Sequence, residues 1–156
     1  MSESSEFHYC DDRLFCEGVP LDKIAERYGT PVYVYSAASI RGQYRSLVET
    51  FRKVDPIVFF AVKANSNLAI LNILSEEGSS FDIVSGGELF RLIHLGVEGN
   101  RIIFSGVGKT RSELTAALDH GAFCLVMESL SEIELLAELM QTRSDRVKIS
   151  LRINPE

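Results

Sequence analysis

The chain has 156 residues, of which 46% are hydrophobic, and a formal net charge of −6, which argues against a nucleic-acid-binding surface. No apolar stretch approaches the about 18 residues of a membrane span, and the acidic residues 1–6 are neither a signal peptide nor a basic transit peptide. The three cysteines form no Cys-x-x-Cys pair, so we expect reduced thiols in a soluble, cytoplasmic protein without a metal site.

The first third of the chain begins irregularly and then predicts a helix, a strand and a longer helix. Residues 23–28 favour a short helix, and Gly29 stands where a C-cap is expected. Residues 31–35, Pro-Val-Tyr-Val-Tyr, predict a short strand that is separate from the strands later in the chain. From Ser36 to about Val54 the apolar residues recur with helical spacing.

From Ile57 onward the pattern becomes regular, with strand signals at intervals of about 20 to 24 residues. These signals begin near Ile57, Phe81, Arg101, Cys124 and Val147. Helix signals lie between them, at residues 68–77, 88–95, 112–120 and 131–140. Hydroxyl and carboxylate residues three apart, Ser85 with Glu88 and Thr110 with Glu113, are typical of capping boxes at helix starts. The repeat therefore predicts parallel βα units.

Five such units fit either a doubly wound sheet or a (β/α)8 barrel. The doubly wound sheet expects a Gly-x-Gly-x-x-Gly turn after its first strand, and residues 64–67, Ala-Asn-Ser-Asn, are not one. A barrel expects inward polar residues, which Lys148, Ser150 and Arg152 supply on one face of the last strand. We therefore predict an α/β fold that is a partial (β/α)8 TIM-like barrel.

Eight strands and about 250 residues make a complete barrel, so five units are too few. We expect the chain to be the amino-terminal part of a longer protein, or to close with copies of itself. Because a half-barrel leaves two open edges, the isolated chain is expected to be poorly stable or to aggregate.

The active site of a βα barrel lies at the carboxyl ends of its strands, where Lys63 follows the apolar segment from Ile57. Alternation puts Lys63 on one face with Ile57, Phe59 and Ala61. Burying an ammonium there is costly, and proteins accept that cost for a nucleophilic lysine. The alternative is a strand-end lysine whose amine reaches water.

Other polar segments at the strand ends are ambiguous when taken singly. Asp82 lies inside a strand, either at an edge or held inward by a cation such as Lys63. Arg152 is either a site residue or a solvent-facing residue of an edge strand. The Ser-Gly-Gly at residues 85–87 fits a simple tight turn, and residues 106–110, Gly-Val-Gly-Lys-Thr, lack the spacer of a Walker motif.

Taken together, four segments resemble one family in their order and spacing. They are residues 60–65 (Phe-Ala-Val-Lys-Ala-Asn), 81–89 (Phe-Asp-Ile-Val-Ser-Gly-Gly-Glu-Leu), 101–110 (Arg-Ile-Ile-Phe-Ser-Gly-Val-Gly-Lys-Thr) and 151–155 (Leu-Arg-Ile-Asn-Pro). The chain resembles the pyridoxal-phosphate decarboxylases with an alanine-racemase-like barrel (fold type III), and within them the diaminopimelate decarboxylases. Residues 28–35 also look like the amino-terminal segment of those enzymes.

The resemblance implies that Lys63 is catalytic and holds pyridoxal 5'-phosphate as a Schiff base. It also implies that Asp82 lies close to this lysine and that Arg152 lies near the phenolic oxygen of the cofactor. Residues 1–35 would belong to the β domain of the full protein, and residues 36–156 would form the amino-terminal part of the barrel. The cofactor-stacking histidine, the phosphate-binding loop and the acid on the pyridine nitrogen are expected beyond Glu156.

The implied function is the decarboxylation of meso-2,6-diaminopimelate to L-lysine by a homodimer. Alternatives are a related decarboxylase of ornithine, arginine or carboxynorspermidine type, a barrel that binds the cofactor without a reaction, and an inactive relative that works through its interfaces. Residues 1–35 disfavour the lone barrel, and Lys63 disfavours the inactive relative. We expect the isolated 156-residue chain to bind the cofactor weakly and to be inactive.

Overall fold

The computed structural model describes residues 6–155. The acidic start of the chain and its last residue, Glu156, lie outside the described residues. The backbone divides into two units, Met1–Val54 and Asp55–Glu156. Within the described range no helix has both the length and the apolar character needed to cross a membrane.

The first unit begins with a small antiparallel sheet that sequence analysis missed. Its strands are β1 (Phe7–Cys10), β2 (Arg13–Cys16) and β3 (Val19–Pro20), paired in that order. Asp11 and Asp12 connect β1 to β2 with φ angles of 46° and 58°, which is the left-handed backbone that tight two-residue hairpins need. The pair of aspartates between two apolar segments was the signal for this hairpin.

The two predicted helices of this unit are confirmed. Helix α1 (Leu21–Tyr28) ends at Gly29, whose φ of 79° and N–H bond to the Ala25 carbonyl form the expected cap. Helix α2 (Ala37–Phe51) begins after Ser36, whose Oγ accepts a hydrogen bond from the Ser39 N–H, and a 3₁₀ turn continues it to Val54.

The predicted strand at residues 31–35 is wrong. No strand is formed there, and Tyr33 is 88% exposed. The aromatic and β-branched residues of this segment favour a strand, but a strand also needs a hydrogen-bonded neighbour. Within residues 6–155 this segment has none.

The second unit is a sheet of five parallel strands with helices between them. The strands are β4 (Phe59–Ala61), β5 (Ser80–Ile83), β6 (Ile102–Phe104), β7 (Cys124–Met127) and β8 (Ile149–Leu151). The helices are α3 (Leu68–Glu76), α4 (Gly86–His94), α5 (Arg111–Asp119) and α6 (Leu130–Met140). Each strand pairs with the next in the chain, without the reversal of a doubly wound sheet. The predicted partial barrel is confirmed.

Alternation along the central strands separates a buried face from a half-buried one. Phe81, Phe104 and Leu125 and their period-two neighbours are fully buried, as are leucines of α3, α4 and α5. The opposite face carries Asp82, Ile103, Cys124 and Val126, which are half-buried. The core therefore lies on the first face, and the second is the one that a barrel turns inward.

The two outer strands are shorter than predicted. Strand β4 ends at Ala61, and Lys63 lies in a 3₁₀ turn, Val62–Ala64, so it does not continue the face of Ile57 and Phe59. In the predicted polar stripe of the last strand, only Ser150 lies within β8. Both strands pair on one side only within residues 6–155, so fewer ladder hydrogen bonds extend them.

Gly99 makes a close backbone approach to His120 and Gly121 at the amino-terminal side of the sheet. It lies in the 3₁₀ turn Gly99–Arg101, and its carbonyl accepts a hydrogen bond from the Phe123 N–H. A Cβ atom at this position would lie 1.9 Å from the His120 carbonyl oxygen. Any side chain here would force the backbone apart.

The helices that follow β5, β6 and β7 share one device at their amino-terminal ends. Each has a hydroxyl cap and, three residues later, a glutamate: Glu88, Glu113 and Glu132. Glu88 accepts a hydrogen bond from the Val84 N–H at 2.8 Å. Glu113 accepts bonds from Thr110 and also from the Gly86 N–H of the preceding unit, at 2.8 Å. These amide donors lower the pKa of Glu113 below its ordinary value.

Glu132 repeats this arrangement and adds a buried ion pair. It accepts hydrogen bonds from the Glu128 N–H at 2.9 Å and from the Gly108 N–H at 2.7 Å. The Lys109 Nζ lies 3.2 Å from Glu132 Oε2, and the side chains of Lys109 and Glu132 are 1% and 4% exposed. Burial raises the pKa of Glu132, but these donors outweigh it and lower that pKa. Lys109 thereby fastens the loop after β6 to helix α6.

We expect Gly99→Ala to lower the free energy of unfolding by about 1–3 kcal/mol, because the added methyl group meets backbone atoms that have no rotamer to escape into. Urea denaturation of the full-length protein measures the change. Gly87→Ala is the control, since its Cβ would meet nothing closer than the Ser85 Oγ at 3.9 Å. Equal stability of the two variants would contradict the close approach.

We expect Lys109→Met to cost about 3–5 kcal/mol of stability, because it leaves the Glu132 carboxylate buried without its cation. The matched control is Arg111→Met, which breaks an ion pair with Glu138 whose side chains are 57% and 59% exposed. That change should cost less than about 1 kcal/mol. If urea denaturation finds the two losses alike, Lys109 does not hold the loop as described.

Candidate active site

The predicted lysine lies at the carboxyl end of β4, the first of the five parallel strands. Lys63 lies just beyond β4 and is exposed. Its turn is held by a hydrogen bond from the Asn65 N–H to the Val62 carbonyl at 3.1 Å, and Asn67 caps helix α3. Within residues 6–155 its ammonium makes no hydrogen bond or ion pair, so the amine is available to a ligand.

Asp82 lies on the half-buried face of β5 but does not pair with Lys63. Its Oδ1 accepts a hydrogen bond from the Ser105 Oγ at 2.6 Å. In the sheet register Asp82 is opposite Ala61, and Lys63 lies two residues further on, in the turn. An ion pair with Lys63, one of the two alternatives that the sequence left open for Asp82, is therefore not formed within residues 6–155.

Ser105 is a site residue whose role sequence analysis missed. It follows β6 directly, and its N–H donates to the Ile83 carbonyl at 2.8 Å, which fixes it beside β5. The available signal was a hydroxyl residue at the end of the strand next to the one that carries Asp82.

Arg152 follows β8 directly and reaches across to the end of β7. Its Nη1 donates to Glu128 Oε2 at 3.1 Å, and its Nε donates to Asn154 Oδ1 at 3.2 Å. The Arg152 side chain is 54% exposed, whereas that of Glu128 is 4% exposed. Arg152 is thus a partly exposed cation held by a buried carboxylate. The sequence placed Glu128 at a strand end without giving it this role.

The loop at residues 105–110 is not a phosphate-binding loop of the Walker kind. Lys109 would be the phosphate ligand in such a loop, but its Nζ is buried among Glu132 and the carbonyls of Gly106 and Val126. The loop therefore contributes to the site through Ser105 and through its rigidity.

The site combines one available amine, two carboxylates and a guanidinium along a single edge of the sheet. The structure joins Asp82 to Ser105 and Glu128 to Arg152, and it leaves Lys63 unpaired among the described residues. No group of three or more histidine, cysteine or acidic residues in the described range is arranged to hold a metal ion. An exposed amine can attack a carbonyl carbon, and a partly exposed guanidinium can stabilise negative charge on an oxygen.

Comparison with known proteins gives a family match over most of the chain. The model of the pyridoxal-dependent decarboxylase pyridoxal-binding domain matches residues 37–156. Diaminopimelate decarboxylase of Pseudomonas aeruginosa is 47% identical over 150 residues, which are 96% of this chain and 36% of that protein. The chain thus spans about a third of the length of the curated relatives that it matches.

Solved structures give the same relationship. Diaminopimelate decarboxylase from M. jannaschii, in co-complex with L-lysine, superposes with a TM-score of 0.89 at 33% identity, covering 96% of this chain and 36% of that one. The Helicobacter pylori enzyme complexed with L-lysine gives 0.80 at 34% identity, covering 86% and 34%. The match over residues 37–156 and these likenesses show that the chain belongs to the pyridoxal-dependent decarboxylase family.

Proposed function

We propose that the whole protein is a pyridoxal-phosphate-dependent carboxy-lyase that converts meso-2,6-diaminopimelate to L-lysine, the last step of lysine biosynthesis. The observation that carries the proposal is the similarity of this chain, at 47% identity, to an enzyme of that name. Two solved neighbours bind L-lysine, which would be the product.

The described residues fit part of the cofactor. Lys63 offers an exposed amine with no partner in residues 6–155, as a lysine that binds an aldehyde must. In this proposal Arg152 is the cation for the phenolic oxygen of pyridoxal 5'-phosphate, and Asp82 is the anion for a nitrogen of the loaded site. When bound, the cofactor provides an electron sink for the electrons left behind by carbon dioxide. The phosphate-binding residues are proposed to lie in the remainder of the protein.

Each of these side chains has a distinct task in the proposal. Lys63 must lose a proton from Nζ before it can attack, and it takes up a proton when the substrate amine displaces it. The Asp82 carboxylate, fixed by Ser105, stabilises positive charge on a nearby nitrogen. Arg152 stabilises negative charge on an oxygen.

The proposal extends to the organisation of the protein. Residues 1–35 would join the β domain of the full-length enzyme, and residues 36–156 would begin its cofactor-binding barrel, in keeping with the family match from residue 37. A cytoplasmic homodimer completes the proposal. Three cysteines without a disulfide suit a reducing compartment.

We expect Lys63→Ala in the full-length protein to reduce decarboxylation to the background rate, because no other described amine occupies this position. Borohydride reduction followed by peptide mass spectrometry should find the cofactor on the peptide that contains Lys63. Lys53→Ala, which changes an exposed lysine of the first unit, should keep both activity and cofactor. Cofactor trapped on another lysine would contradict the role of Lys63.

The substrate is tested by measuring carbon dioxide release from a panel of amino acids. The full-length protein should act on meso-2,6-diaminopimelate at least about a hundredfold more efficiently than on ornithine, arginine, lysine or carboxynorspermidine. A site that binds the distal amino and carboxyl groups of this substrate should discriminate by roughly a hundredfold or more against amino acids that lack one of them. A preference for ornithine or arginine would overturn the proposed substrate. Carbon dioxide release from none of the amino acids would overturn the proposal that the protein is a decarboxylase.

A further inference from the structure

The carboxyl group of Glu128 is buried and only half satisfied. Its side chain is 4% exposed, and Oε2 accepts a hydrogen bond from Arg152 Nη1 at 3.1 Å. Oε1 is also buried and has no donor in residues 6–155. A buried carboxylate oxygen without a donor is costly, and exceptions of this kind are concentrated at functional sites.

The backbone fixes Glu128 and Arg152 relative to each other. Glu128 follows β7 and Arg152 follows β8, and the Arg152 N–H donates to the Met127 carbonyl at 3.0 Å. The Glu128 N–H is in turn held by Glu132 at 2.9 Å. Burial also restricts the Glu128 side chain, which is 4% exposed, whereas an arginine side chain that is 54% exposed has many rotamers open to it.

We propose that Glu128 is a positioning residue that acts through Arg152. It orients the guanidinium for the phenolic oxygen of the cofactor, and Oε1 accepts a second N–H of the same guanidinium when the site is loaded. Two-point pairing of this kind is the preferred geometry of arginine with a carboxylate. The inference rests on the proposed function, because it assumes that pyridoxal 5'-phosphate binds beside Arg152.

A double-mutant cycle on cofactor affinity tests the proposal in the full-length apoenzyme. Glu128→Gln keeps the shape of the side chain but presents one oxygen and no charge. This change should raise the dissociation constant of pyridoxal 5'-phosphate about tenfold. Absorbance of the bound cofactor measures that constant. In an Arg152→Met background the same change should raise it less than about twofold. If Arg152→Met binds too weakly to measure, Arg152→Lys provides the second background.

Two results would overturn the proposal. Equal weakening in both backgrounds would mean that Glu128 acts independently of Arg152. An unchanged dissociation constant, with a lower thermal midpoint of the apoenzyme, would mean that the carboxylate only stabilises the fold. Glu138→Gln is the matched control, since Glu138 also pairs with an arginine, Arg111, but on exposed helix surfaces.

The same experiments separate this inference from the proposed function. Borohydride should still trap the cofactor on Lys63 in Glu128→Gln at saturating cofactor. If wild-type protein gives no adduct on Lys63, the proposed function fails. If the adduct forms and Glu128→Gln binds the cofactor as tightly as the wild type, only the role of Glu128 fails.

Discussion

The buried pair of Lys109 with Glu132 is the contact on which the geometry of the site depends. A carboxylate and an ammonium withdrawn from water stay charged only if their remaining donors and acceptors are satisfied. Glu132 meets that condition by bonding the loop after β6 and the first residue after β7 at once. Glu113 does the same between the loops after β5 and β6. Hydrogen bonds from the helix of the next unit thereby fix the loops after β5 and β6 at the carboxyl edge of the sheet.

Much of the fold could be predicted because the second unit obeys simple periodicities. Parallel strands separated by capped helices gave the barrel architecture, and Ser85, Thr110 and Ser129 begin their helices as capping residues. The small sheet in the first unit escaped prediction because its strands lie outside the regular repeat and mix charged or polar residues with apolar ones, as in Phe-His-Tyr-Cys and Arg-Leu-Phe-Cys. The failure at residues 31–35 has another cause: these residues favour a strand locally, but within residues 6–155 no strand lies beside them.

The sequence singled out candidate residues for the site, but it did not indicate the contacts that these residues make. Motif order singled out Lys63, Asp82 and Arg152, whose roles stay predictions. Their partners depend on register, which places Asp82 opposite Ala61 and brings Ser105 to it in place of the lysine. Lys109 shows the same limit, because a glycine-flanked lysine gives no sign in the sequence that it is buried against Glu132. The sequence thus indicated which residues are candidates for the site, whereas the register of the sheet determines which side chains are in contact.

The sequential strand order has a consequence for how such a chain acquires its structure during synthesis. Because each strand pairs with the one made just before it, every βα unit can dock as it leaves the ribosome, with short loops to close. Glu113 and Glu132 reach backward, however, so the loops after β5 and β6 gain these hydrogen bonds only after the helix of the next unit has formed. These two loops at the edge that bears the site are therefore expected to become fixed one unit behind the growing sheet.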